Sequence, residues 1–396
     1  MALGDCVADV ESFLRQTWGR RPEVVYEGSP INSSLIDLDA IDELVTTRGL
    51  RFPAFRMVRE GEVIDPATYT REAVIGQSVV SDLIEPGQVV QLMDGGATLV
   101  LQGVHRFWEP IAAFANQLAL DMGHPVQTNA YITPGNSRGF DIHYDTHDVF
   151  VLQCLGRKRW DVFGEIQPRA LPDEKRKLTE EEVGSATLGR MLEQGDVLYI
   201  PRGWAHAART VGEPSVHLTM GVLVSTWLDA LQVVWSELEA RSFLRGTVPT
   251  PMDEDFASGW NQVRAEILDQ LASTDMIDVK GRLLDRIRTQ QSVLTRGVVG
   301  ETLTEREILN EETFRLKPAS IVDVLKEEDH LVLVALDRTL SLPASYAEAI
   351  AFVMEGHSFD IEDLSRFASP QDAALLITRL IREGLVDRLD AGSPQA

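Results

Sequence analysis

His143-Tyr144-Asp145, together with the His206 that closes Gly195-Asp-Val-Leu-Tyr-Ile-Pro201-Arg-Gly203-Trp-Ala-His206, supplies two imidazoles and one carboxylate. That set can hold a non-haem Fe(II) on one face and leave its other positions open. Successive side chains of a strand alternate faces, so His143 and Asp145 are expected to point one way and Tyr144 the other. The third ligand has to come from a segment returning alongside. A Gly-Asp turn, an apolar run over 197–200 and a Pro-Arg-Gly bend ahead of His206 predict that return. Two histidines and a carboxylate can also hold a catalytic zinc, so these residues alone leave a hydrolase open.

Short runs bounded by Gly, Pro or Asp predict the strands that position the ligands: 127–133, 141–144, 149–155, 159–163, 196–200 and 215–222. A series of this kind suggests a sandwich or barrel, and a double-stranded jelly roll would bring two ligand-bearing strands together. Residues 165–193 interrupt it with charged residues and prolines, and read as an insertion with a short helix near Leu188. Helices are expected at 7–17 and 36–46, the second opened by Asp37 or Asp39, then at 107–122. Strand-like runs fill 50–105.

After Val222 the period becomes helical, over 227–243 and 256–290, with Leu228, Leu231, Val234, Trp235 and Leu238 on one apolar face. Residues 293–318 read as a connection. Beyond Ile321 a strand pair, 331–336 and 339–342, precedes helices at 344–355, 361–367 and 370–383. The last is capped by Ser369 and stopped by Gly384. Three helices with flanking strands suggest a winged-helix-like module.

The 396 residues carry a formal charge of −24, a sign that repels nucleic acid and can attract basic proteins. In the last helix Arg379 and Arg382 are offset by Asp372 and Glu383, which argues against direct DNA binding. Two cysteines, Cys6 and Cys154, cannot build a disulfide framework, so the expected compartment is reducing. The N-terminus lacks the basic flank and apolar stretch of a signal peptide, and no apolar run approaches the ~20 residues of a membrane helix. A soluble, cytoplasmic protein is expected.

The spacing G-x5-P-x-G-x2-H, from Gly195 to His206, matches the second signature of the cupin superfamily. Around the first motif, Asn129-Ala-Tyr131-Ile-Thr-Pro-Gly-Asn-Ser-Arg-Gly-Phe-Asp-Ile-His143-Tyr-Asp145 and, further on, Leu-Gly-Arg-Lys158-Arg-Trp closely resemble the ribosomal oxygenases. These are JmjC-type, Fe(II)- and 2-oxoglutarate-dependent protein hydroxylases, and the match is tight over 127–223. The resemblance implies a mixed β and α fold in three parts. A jelly-roll catalytic domain with a helical lead-in would span 1–225, a helical dimerisation region 226–310 and a winged-helix-like domain 311–396.

It also implies that His143, Asp145 and His206 are the iron ligands and that Lys158 pairs with the distal carboxylate of 2-oxoglutarate. Tyr131, Asn129 and Thr219 would line the pocket. Some relatives carry a hydroxyl side chain where Gly221 stands. His147, Arg138, His217 and Trp204 lie near the motifs and read as structural. The implied reaction uses O2 to hydroxylate a side-chain carbon, at histidine or arginine, of a basic ribosomal protein, by a homodimeric enzyme. The alternatives are an oxygenase acting on a small molecule or peptide natural product, and a metal-holding cupin without turnover.

Overall fold

The computed structural model describes the chain apart from residues 136, 138–139, 249, 251–254, 292–295, 305–306, 319, 337 and 390–396. Through residue 222 its strands are β1 (Glu23–Tyr26), β2 (Phe55–Arg59), β3 (Glu62–Val63), β4 (Thr70–Ile75), β5 (Ser78–Ile84), β6 (Thr98–Leu101), β7 (Val126–Thr133), β8 (Asp148–Gly156), β9 (Lys158–Glu165), β10 (Leu188–Leu192), β11 (Val197–Ile200), β12 (Trp204–Arg209) and β13 (Ser215–Val222). An eight-stranded sheet runs β1-β11-β8-β13-β7-β6-β2-β3, and a three-stranded sheet runs β10-β9-β12. All the registered pairings between these strands are antiparallel. This is the expected jelly roll.

Alternation along the strands decides what each face of the large sheet does. Val216, Leu218, Met220 and Val222 of β13 join Ala130 and Ile132 of β7 in the main core, against Ile111, Phe114, Ala115 and Leu118 of the helix Glu109–Met122. The intervening residues, His217 and Thr219 on β13 and Tyr131 on β7, face the small sheet. A slip of one residue would drive these polar groups into the apolar layer, so the pattern fixes the register. β8 is apolar over Val149–Leu152 because it is covered on both sides: Phe150, Leu152 and Cys154 enter the main core, while Val149 and Val151 pack with Trp160, Val162 and Leu192 of the small sheet.

Three expectations are corrected. Residues 141–144 form no strand; their one pairing is an isolated bridge between His143 and His206. The Asp141 carbonyl is taken by the His143 ring at 2.8 Å, which bends the segment instead of leaving that carbonyl to a ladder. The helix expected near Leu188 is β10, paired with β9 so that Leu188 and Leu192 cover the inner sheet. The insertion's helix is Glu180–Val183. His206 follows the bend as expected, and the returning segment that carries it is a strand, β12. Residues 293–318 are not a bare connection, since they hold the helix Val298–Thr304 and β14 (Thr313–Leu316).

The helices Trp227–Leu238, Asp255–Ser273 and Met276–Gln290 follow the jelly roll. A separate core then gathers Phe314, Leu333, Ile350, Leu364, Leu376 and Leu380. It is built from β14, β15 (Ile321–Lys326), β16 (His330–Ala335), β17 (Thr339–Pro343) and β18 (Val386–Leu389), with helices Ala347–Met354, Ile361–Leu364 and Pro370–Arg382. The Ser369 hydroxyl accepts from the Asp372 amide at 3.1 Å, and Gly384 adopts φ +70° at the other end, as the sequence indicates.

One glycine holds the insertion to the metal-motif loop. The Gly203 carbonyl accepts from the amides of Ile166 and Gln167, at 2.8 and 3.2 Å, and its φ is +81°. A Cβ there would run into the Gln167 carbonyl. Gly203→Ala is expected to lower stability by about 2 kcal/mol or more, measured by chemical denaturation, whereas Gly212→Ala, with a similar φ and open space around it, should cost less.

Candidate metal centre and cavity

Backbone pairing brings the three ligands together. The amides of His143 and His206 each donate to the other's carbonyl, at 3.2 and 2.8 Å, and the Gly203 amide donates to the Asp145 carbonyl at 2.8 Å. His143 Nδ1 is bonded to the Asp141 carbonyl and His206 Nδ1 to the Trp204 carbonyl, at 2.8 and 3.0 Å. Both rings therefore present Nε2 to the centre, an orientation set by their outer partners. His206 Nε2 lies 3.6 Å from Asp145 Oδ2, and one donor atom from each of the three residues lies within 4.8 Å of the others.

The protonation states suit a cation. Burial, reinforced by the neighbouring His143, lowers His206 to about 4, so its imidazole is neutral and ready to ligate at neutral pH. Burial alone would raise the Asp145 carboxyl, but His147, His143, His206 and Lys175 together outweigh it and hold the group at about 2. The donor set and its charge fit a divalent metal bound through two imidazoles and one carboxylate.

Beside this centre a cavity of about 50 Å³ lies between the two sheets. Lys158, at the start of β9, is 3 % exposed, and its ammonium donates to the Thr133 hydroxyl at 2.9 Å. Among the described residues no carboxylate pairs with it, and burial lowers its pKa to about 7. Trp160 Nε1 and His217 Nδ1 are also buried without partners. His217 stacks on Tyr131 at 4.8 Å and meets Trp160 edge-on at 5.4 Å. A buried cation and two idle polar atoms in one cavity call for an oxygen-rich anion.

The structure brings most of the expected site residues together. His143, Asp145, His206, Lys158, Tyr131 and Thr219 all line the cavity. The Tyr131 hydroxyl is raised by burial and by the Asp145 charge, against hydrogen bonds with Thr219 and Asn129. Asn129 shares the Tyr131 face of β7: its Oδ1 accepts from the Gly103 amide at 3.0 Å, and its side chain is bonded to the Tyr131 hydroxyl. Gly221 leaves room for His147, whose ring fills the space a side chain would take. Trp204 contributes through its carbonyl. Arg138 lies outside the described residues.

Thr133, Trp160 and Thr98 were not singled out by the sequence, and His217 read as structural. The signal lay in the period of two. Thr133 follows Asn129 and Tyr131 on one face of β7, and Trp160 follows Lys158 on one face of β9.

A jelly roll with this donor set is a cupin-type fold with a candidate metal centre. Residues 105–230 match the JmjC domain model. Over 227 residues it is 30% identical to ribosomal oxygenase 1 of Gallus gallus, covering 56% of this chain and 36% of that protein. Over 260 residues it is 28% identical to the bifunctional lysine-specific demethylase and histidyl-hydroxylase NO66 of Aedes aegypti, covering 62% and 39%. The matched part is thus under half the length of these relatives. The solved structure of YcfD, a ribosomal oxygenase from Escherichia coli, in complex with cobalt and 2-oxoglutarate shares the fold, with a TM-score of 0.58 at 17% identity over 96% of this chain and 98% of that one.

The unpaired ammonium makes Lys158→Met a two-way test. With no ligand bound, replacing a buried charge by an apolar chain of similar length should raise stability by a few kcal/mol. The folded pKa is depressed below its unfolded value, so the penalty is full below about 7 and shrinks as pH rises from there toward 10.5. Denaturation of both proteins at pH 6 and pH 9.5 should show the gap between them closing at the higher pH.

Proposed function

We propose that this chain is an Fe(II)- and 2-oxoglutarate-dependent oxygenase that hydroxylates a side-chain carbon, of histidine or arginine, in a basic ribosomal protein. The observation that carries the reading is the buried Lys158 ammonium, which has no anionic partner among the described residues and shares one cavity with the His143, Asp145 and His206 donors. The dicarboxylate 2-oxoglutarate suits both ends: one carboxylate and its keto oxygen for a metal, the other for a cation.

In this reading the two imidazoles and Asp145 hold the iron, and Lys158 with Thr133 and Thr98 receives the distal carboxylate. Tyr131 and Thr219 orient the co-substrate from the large sheet. When bound, iron, 2-oxoglutarate and O2 supply oxidative decarboxylation to succinate and CO2, coupled to oxygenation of an unactivated C–H bond. Val149, Val151 and Trp160 wall the cavity with apolar surface and keep water from the reacting groups. The relatives named ribosomal oxygenase, and the charge of −24, support a basic protein as substrate.

We read residues 226–310 as a homodimerisation region and 311–396 as a winged-helix-like domain. The helices Trp227–Leu238 and Asp255–Ser273 expose Trp227 (87%), Trp235 (57%) and Trp260 (60%), and an open apolar cavity lies between them. Trp235 and Trp260 line that cavity together, and exposed apolar surface of this kind marks an interaction face. On the last long helix Arg379 is paired to Glu383 at 2.9 Å, which supports a role other than reading DNA. Among the described residues no helix is long and apolar enough to cross a membrane.

Incubated with Fe(II), ascorbate, 2-oxoglutarate and ribosomal proteins from its host, the protein is expected to form succinate and to add the mass of one oxygen atom to one of them. Succinate stimulated by a small metabolite, with every ribosomal protein mass unchanged, would move the reading to the natural-product alternative. Glutamate at both Trp235 and Trp260 should convert a dimer to a monomer in sedimentation velocity; an unaltered sedimentation coefficient would remove this face from the interface.

A further inference from the structure

Arg56 stands in a row that crosses the inner face of the large sheet. It is the cross-strand partner of Val100, Val100 of Tyr131, and Tyr131 of His217. Its neighbours Phe55 and Met57 enter the main core, so Arg56 points to the cavity side. Its guanidinium carbon lies 5.1 Å from the centre of the Phe140 ring. Phe140 in turn stands edge-on to Tyr131 at 5.9 Å and 5.8 Å from the His143 ring, and both aromatic rings line the cavity. The guanidinium thus packs on Phe140, a ring of the cavity wall that lies beside His143.

Its bonding is incomplete. Arg56 Nε is buried without an acceptor among the described residues, whereas Arg51 nearby is bonded to Asp82 at 2.7 Å. A buried guanidinium donor left idle costs free energy, and its ring partner supplies no acceptor in the plane of the fork. The terminal nitrogens of Arg56, from which no described residue accepts either, are the donors that a substrate's acceptor would meet.

We propose that Arg56 is the specificity-determining residue of this site: its guanidinium donates to a neutral acceptor on the target side chain and repels a cationic one. The inference rests on the oxygenase reading above and deepens it. A neutral imidazole offers an acceptor nitrogen, while an arginine side chain offers donors only and carries a like charge. The site therefore selects histidine over arginine. The two charge effects act at different ranges: the acidic surface draws in a basic protein, and Arg56 discriminates at contact.

The test uses the full chain loaded with Fe(II), and peptides of about 20 residues tiled from the host's ribosomal proteins, centred on each histidine or arginine. Oxygen addition is read by mass, and 2-oxoglutarate affinity of the cobalt-loaded protein by tryptophan fluorescence. The wild type should oxidise histidine-centred peptides only. Arg56→Gln should lose at least tenfold in kcat/KM toward them with 2-oxoglutarate affinity within twofold, and Arg56→Glu should gain activity on arginine-centred peptides, which a misfolded variant would not. Oxidation of arginine-centred peptides by the wild type, or histidine kinetics unchanged in Arg56→Gln, would overturn the proposal. So would intact 2-oxoglutarate binding with no peptide oxidised. Loss of 2-oxoglutarate binding in the wild type would instead strike the oxygenase reading, and the proposal with it.

Discussion

Three backbone hydrogen bonds tie residues 143–145 to residues 203–206, and the functional centre depends on them. They join segments separated by the whole of β8, β9, the insertion, β10 and β11, so closing them requires the jelly roll to be assembled first. Once closed, they leave little freedom to the ligands. Each imidazole is turned by a carbonyl of its own segment, Asp141 for His143 and Trp204 for His206, and the Asp145 carbonyl is held by Gly203. The insertion is pinned to that same glycine, and the Tyr144 hydroxyl, pointing away from the metal donors, is bonded to the Glu174 carbonyl. The metal site and the insertion that borders it share one anchoring point.

Behind this centre the interior is arranged against stability. Lys158, Trp160 Nε1 and His217 Nδ1 are removed from water with too few partners, while β7, β8 and β13 surround them with well-packed apolar layers. A protein selected for the fold alone would place an apolar side chain at position 158. The retained ammonium makes sense as half of an interaction whose other half is a ligand. The layered sheet makes that strain tolerable, because the same strands that expose Tyr131, His217 and Thr219 to the cavity bury Ala130, Leu218 and Met220 on the opposite face.

The sequence carried the site further than it carried the path of the chain. His143, Asp145 and His206 were readable from residue type and spacing, and five of the six predicted core strands form. Residues 141–144 fail as a strand because a side chain captures the carbonyl that a ladder would need, a competition that periodicity does not register. Leu188-Gly-Arg-Met-Leu192 has apolar ends four residues apart, a spacing that fits one helical turn as well as the strand β10 that it forms. Asn129 shares a strand face with Tyr131, and the turn at Gly103 also engages its side chain. Arg56 lay in a segment read only as strand-like, and its place beside Phe140 comes from pairing through β6, which no local pattern announces.

The central claim is that one cavity holds a metal at the His143, Asp145 and His206 donors and a dicarboxylate between that metal and Lys158. The most direct measurement is a titration of the cobalt-loaded protein with 2-oxoglutarate, followed by the visible absorption of the metal. The account predicts a spectral change saturating at one equivalent, in competition with succinate, and absent when Asp145 is replaced by alanine. Cobalt bound at this site with a spectrum indifferent to 2-oxoglutarate would contradict it.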